Sequence, residues 1–192
     1  KALLLADRDN LHRCGSVYGI FKGLNGMADS SCIIKDDAFF MREAIKEAML
    51  AEKEGEVPIG AVIVRDGEII ARAHNERETL KDATRHAEIT AIERACAALH
   101  GWRLIGCDLY VTLEPCPMCA GACVNSRLVR VIYGAPDLRA GAFGSVIDLN
   151  SFPLNHKPEI VGGVLADECL LPIRSFFIRK RNKNQSEGEE RK

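Results

Sequence analysis

The sequence predicts a three-layer α/β/α domain built on a mixed sheet, and three observations carry that expectation. Strand-like and helix-like segments alternate along most of the chain. The series opens on a hairpin rather than a crossover, and its first strand is apolar at nearly every position, as a strand covered on both faces must be. The 192 residues suffice for one domain with a substantial core and are few for two. Composition is 47% apolar and 28% charged, ordinary for a globular protein and unlike a disordered one. A formal net charge of −1 provides no global attraction for nucleic acid, so such binding needs a local basic patch.

No apolar run approaches the roughly 20 residues of a membrane-spanning helix, so no membrane association is expected. Eight cysteines would suit a disulfide scaffold. However, the apolar run from Ala2 to Ala6 is too short for a secretory signal and stops at Asp7. A cytoplasmic setting, with metal-bound or free thiols, fits better, most of the remaining cysteines being small buried hydrophobes. The chain begins at Lys1 rather than Met, which suggests a longer precursor or a displaced start. Residues 1–34 show no sustained periodicity and read as a flexible tail; Asp7 and Asp9 argue against a transit peptide.

Order is expected from residue 35, in a domain reaching 183. Asp36-Asp37 can cap a helix running to about Glu54, with Phe40, Met41, Ala44, Ile45, Ala48 and Met49 as its apolar stripe and Gly55 as its stop. Ile59 to Val64 reads as a buried strand, Asp66-Gly67 as a hairpin turn, and Glu68 to Ala73 as the returning strand. Residues 74–85 form a polar loop. A helix follows from His86 to about Leu99, with Ile89, Ile92, Cys96 and Leu99 inward. Leu109 to Leu113 reads as a central strand that Pro115 breaks, and Pro117 suits the first turn of a helix to about Asn125. Val129 to Tyr133 is another strand, 134–145 a Gly- and Ala-rich loop, and Ile160 to Val164 a short edge strand. Asp167 can cap a last helix to about Lys183, leaving 184–192 as a disordered tail.

The chemistry concentrates in Arg85-His86-Ala87-Glu88 and Glu114-Pro115-Cys116-Pro117-Met118-Cys119. Two thiols three residues apart, about one helical turn, can face one point, and with His86 they make three metal donors. A structural zinc takes four protein ligands, whereas a catalytic zinc keeps a position for water. Helix N-termini also favour thiolate, so Cys116 and Cys119 should both ionise easily. His86 and Glu88 would diverge by about 200° inside a regular helix, so they converge only if the site lies at the first turn. Two plainer alternatives remain at this point. One is a closed structural zinc site completed by Cys123, four residues after Cys119; the other is a redox Cys-x-x-Cys pair, to which Cys-Pro-Met-Cys is a weak match.

His86-Ala87-Glu88 with Pro115-Cys116-Pro117-Met118-Cys119 resembles the signature of the zinc-dependent nucleoside and nucleotide deaminases. Further segments resemble the bacterial tRNA-specific adenosine deaminases over about residues 36–182. They are Glu56 to Ala61, Asn75, Ala120-Gly121-Ala122, Ser126-Arg127, Tyr133-Gly134-Ala135, Asp137, Gly141-Ala142, Gly144-Ser145, Asn155-His156, Leu165 to Cys169 and Phe176-Phe177. The resemblance implies a cytidine-deaminase-like fold and conversion of the wobble adenosine of a tRNA anticodon to inosine. It implies one zinc (Zn2+) per subunit on His86, Cys116 and Cys119, with Glu88 as proton shuttle. Asn75 and the Ala87 backbone would hold the flipped nucleoside, Asn75 being otherwise an ordinary turn residue. Asp137, Arg139, Phe177 and Arg179 would meet the anticodon stem-loop, although one of Phe176 and Phe177 should be core and the basic cluster 179–183 could be a solvated helix end. A homodimer is also implied. The sequence departs from familiar members at Arg85, at Pro136 and in its long N-terminal tail. The rival activities are a guanine or other free-base or nucleoside deaminase, which shares the metal motif, and a non-catalytic partner subunit, which the presence of Glu88 disfavours.

Overall fold

In the computed structural model, which describes residues 35–189, the first helix is α1 (Asp37–Lys53). Asp36 caps it by accepting the Phe39 N–H at 2.8 Å, and Gly55 follows with φ of +81°, where glycine carries little strain. β1 (Gly60–Arg65) and β2 (Glu68–His74) form the expected hairpin. Asp66 and Gly67 both take positive φ, 51° and 76°, the turn whose twist matches the strands it joins. The polar stretch that follows contains one helical turn, α2 (Arg77–Leu80), where the sequence predicts only loop. Buried Glu56 draws it in by accepting the Thr79 N–H and hydroxyl at 2.7 and 2.9 Å.

Then come α3 (Ala87–Ala98), β3 (Cys107–Leu113), α4 (Pro117–Ser126), β4 (Arg130–Ala135), a 3-10 turn at Leu149–Ser151, β5 (Glu159–Gly162) and α5 (Ala166–Glu189). The strand order is β2-β1-β3-β4-β5, antiparallel from β2 to β3 and parallel from β3 to β5, so the sheet is mixed and β3 is central. Strand alternation divides the core in two. Ala61, Ile63, Leu109, Val111 and Val131 pack with α3 and α4 residues; Val62, Val64, Tyr110 and Ile132 pack with Phe40, Met41 and Ala44 of α1 and Cys169 of α5. Helices therefore cover both faces, giving the three layers. Gly60 lets α1 lie almost on β1: a Cβ there would stand 2.1 Å from the Ala44 carbonyl oxygen.

Three expectations are corrected. The inward face of α3 is Ala87, Ala91 and Ala95, with Ile92, Cys96 and Leu99 only partly buried at its flank, because small side chains allow the closest approach to the sheet. Ile89 is half-buried and outside both core clusters. α5 starts at Ala166, so Asp167 lies in its first turn, where a carboxylate favours the helix dipole, rather than before it. α5 also continues through Glu189, since 184–187 hold neither Gly nor Pro, so most of the expected disordered stretch 184–192 is helical. The expected tail 1–34, with Cys14 and Cys32, lies outside the described residues. Among the described residues, no helix is long and apolar enough to cross a membrane.

Candidate active site

The site forms where two helices begin side by side. His86 is the residue before α3 and has extended backbone, φ −79° and ψ 153°; Cys116 stands likewise before α4, φ −71° and ψ 171°. Neither side chain caps its own helix, so both are turned to other use. The extended geometry of His86 also answers the spacing problem. His86 is not yet in the helix while Glu88 is in its first turn, so the two do not diverge as they would on a regular helix.

His86 Nδ1 lies 3.8 Å from Cys116 Sγ and 3.6 Å from Cys119 Sγ, and the three donor atoms lie within 4.8 Å of one another. Tetrahedral zinc with ordinary Zn–S and Zn–N bonds sets N and S ligands about 3.6 Å apart, so the donor set fits that ion in type and spacing. Cys123 is not part of the group, and among the described residues no fourth His, Cys, Asp or Glu joins it. The closed structural site is thereby set aside. The thiols share a proton rather than both ionising. A hydrogen bond from Cys119, helped by His86, holds the Cys116 pKa down to about 4. The same bond, with burial, pushes Cys119 far up, so the expectation of easy ionisation holds for Cys116 alone. The Cys116 contact raises His86 despite its burial.

Glu88 is 4% exposed and lines the cavity beside this group. Burial raises its pKa. Asn75, 2% exposed, lines the same cavity; its amide donates to the Val57 carbonyl at 3.2 Å and its oxygen accepts the Ala87 N–H at 3.0 Å. Ala87 is fully buried in the core, so its N–H faces Asn75 and not the cavity. Arg85, the unusual neighbour of His86, pairs with Glu93 at 2.5 Å and Asp82 at 3.6 Å.

The cavity has a volume of about 660 Å³ and runs from His86, Glu88 and Cys116 to α5. Asp137 and Arg139 line it; Asp137 Oδ1 accepts the N–H groups of Arg139 and Ala140, so its carboxylate shapes the loop. Phe177 lines the far wall and is 42% exposed. Phe176, half-buried and edge-on to it at 5.5 Å, belongs to neither core cluster, so neither aromatic is the core residue expected. Arg179 is turned away and pairs with Glu52 of α1. Helix phase explains this: Arg174 and Arg181, three residues before and four after Phe177, share its face and line the cavity. With Arg77 and Arg139 they make four rim arginines without an ion-pair partner among the described residues. Buried Glu114, which the sequence places in the Cys116–Cys119 motif without a role, anchors the 136–145 loop. Its one sequence signal was a charge set between an apolar strand and a proline.

The family model described as MafB19-like deaminase matches residues 35–185. The chain is similar to the tRNA-specific adenosine deaminase of Bacillus subtilis (strain 168), 53% identical over 151 residues, covering 78% of this chain and 94% of that one. It is also similar to a chloroplastic tRNA(adenine(34)) deaminase of Arabidopsis thaliana, 45% identical over 158 residues, covering 73% of this chain and 12% of that longer one. A solved structure from work on A-to-I editing by tRNA:A34 deaminases at the wobble position matches with 47% identity and a TM-score of 0.68, covering 69% of this chain and 97% of that one.

Proposed function

The chain belongs to the family of the tRNA-specific adenosine deaminases, and from that membership and the site we infer that it hydrolyses adenosine to inosine at the wobble position of a tRNA anticodon. Glu88 carries the assignment: a buried carboxyl beside a three-donor group, at the inner end of an arginine-rimmed cavity. His86, Cys116 and Cys119 would hold one zinc ion per subunit. When bound, zinc supplies Lewis-acid polarisation that brings the pKa of water toward neutrality.

Glu88 performs the proton transfers. It takes a proton from the water attacking C6 and delivers it to the purine ring nitrogen, then assists the amino group to leave, so water and adenosine become inosine and ammonia. Burial suits it to this, because a desolvated carboxyl accepts a proton more readily. Asn75 keeps one amide hydrogen for the nucleoside, and Ala87 acts through it, its N–H holding the Asn75 oxygen in place. Phe177 offers a stacking face for an unpaired base, and Asp137 fixes the loop that presents Arg139. Arg174 and Arg181 occupy the place the sequence assigns to Arg179, which would contact RNA only by leaving Glu52.

The partners are a tRNA anticodon stem-loop and a second copy of the chain. Met118 on α4, with Val146, Ile147, Phe152 and Leu154 in the following loop region, are exposed large apolar side chains that a homodimer would cover. A tRNA substrate and free thiols favour the cytoplasm. The four cavity-lining arginines, without an ion-pair partner among the described residues, favour a polyanionic substrate over a free base, which brings no charge for them to meet. Guanine, cytidine and a wobble-A stem-loop assayed side by side decide the point. Turnover of the stem-loop alone is expected; preferential turnover of guanine would replace this activity with the rival one.

A further inference from the structure

We propose that Glu114 is a positioning residue that couples the substrate-facing loop to the His86–Cys116–Cys119 group, an assignment that rests on the tRNA deaminase reading of the same cavity. Glu114 is 2% exposed and has no cationic partner among the described residues. An isolated carboxylate at such a site is costly unless its lone pairs are filled. Here they are filled from one segment. Oε2 accepts the Asp137 N–H at 3.1 Å and the Ser145 hydroxyl, while Oε1 accepts the N–H groups of Phe143 and Ser145 at 3.0 and 3.1 Å. The backbone adds two bonds. Glu114 donates its N–H to the Ala135 carbonyl, and Ala142 donates to the Pro115 carbonyl, each at 2.9 Å.

The loop 136–145 thus hangs from the two residues that immediately precede Cys116. Regular structure adds only an isolated bridge between Phe143 and Asp148; the other supports are burial of Ala142 and Phe143 in the core and backbone bonds among residues 137–149. Its first half, Pro136 to Ala140, lines the same cavity as Arg77 and includes Arg139. Gly141 is the complement of this hub. A Cβ there would stand 2.4 Å from the Glu114 carboxyl and 2.7 Å from the Asp137 carbonyl oxygen, so only glycine lets the loop close over the carboxylate. One buried anion sets where the loop presents Arg139 relative to the reacting end of the cavity. An amide in its place would turn an NH2 toward groups that are themselves donors.

Glu114→Gln, Gly141→Ala and Ser145→Ala test this on a wobble-A stem-loop, with zinc content and amide hydrogen exchange measured on the same preparations. For Glu114→Gln the expected result is a KM raised about tenfold or more, as for the loss of one or two charge-assisted hydrogen bonds, with kcat within about threefold and zinc unchanged. Gly141→Ala should reproduce that split, Ser145→Ala should show it in smaller degree, and exchange should quicken at residues 137, 143 and 145. An unchanged KM and unchanged exchange would overturn the proposal. So would a joint fall in kcat and zinc content at constant KM, which would make Glu114 a support of the metal ligands alone. If Glu114→Gln fails to fold, Gly141→Ala and Ser145→Ala decide by the same criteria. A wild-type chain inactive on the stem-loop would refute the tRNA reading instead, and the exchange pattern would still decide the coupling.

Discussion

His86 and Cys116 each have extended backbone and stand immediately before a helix, and that shared placement turns two short motifs into one site. The motif residues were legible because the chemistry dictates residue type: a borderline metal wants imidazole and thiolate, and proton transfer wants a carboxyl beside them. Glu114 was not legible, because its partners are backbone N–H groups 23 to 31 residues away, which no residue type announces. Two predictions belong at this scale. After metal removal by chelation, Cys116 should be alkylated at about pH 6, since its thiolate predominates above about pH 4, while Cys119 stays protonated and inert; mass mapping of the labelled cysteine checks it, and zinc should protect. Asn75→Ala leaves the Ala87 N–H buried without its acceptor and removes a cavity-lining amide, so kcat/KM on the stem-loop should fall about 10²-fold, read by steady-state kinetics.

α1 shows how one element is fixed at two points of its contact with the sheet. Near its middle, Gly60 of β1 admits the helix backbone, and Gly60→Ala should destabilise the protein by about 2 kcal/mol, seen as a lower denaturant midpoint. At its start, Asp37 accepts from Arg130 of β4 at 2.8 Å and from the Tyr110 hydroxyl of β3 at 2.7 Å. The Arg130 guanidinium holds the Asp37 pKa below its usual value against a smaller opposing effect of burial. A carboxyl whose folded pKa is depressed stabilises the fold above its unfolded pKa and loses that contribution as pH falls through the folded one. Asp37→Asn should therefore cost roughly 1 kcal/mol at pH 7, a modest figure because both partners are partly solvated, and in urea titrations the difference should shrink as pH falls below the ordinary aspartate value. Sequence pattern gave the order and type of nearly every element here. It missed the alanine face of α3 and the phase of α5, since both depend on how closely a helix meets the sheet.

The whole molecule carries a net charge of −1, yet Arg77, Arg139, Arg174 and Arg181 gather at one cavity without carboxylate partners among the described residues. The bulk charge concealed this patch, and only folding brings α2, the 136–145 loop and α5 around one rim. Binding of the stem-loop should weaken with salt at a log–log slope approaching about −3 if all four meet phosphates, and Arg174→Gln with Arg181→Gln should roughly halve it, measured by fluorescence titration. At the centre stands the pairing of an open three-donor group with the carboxyl of Glu88. The most direct test is to incubate wild type and Glu88→Ala with a wobble-A stem-loop, determine zinc in both, and sequence the RNA. One zinc per chain in each protein, with A-to-G change at the wobble position for wild type only, is the predicted result. Conversion by Glu88→Ala at the wild-type rate would contradict it.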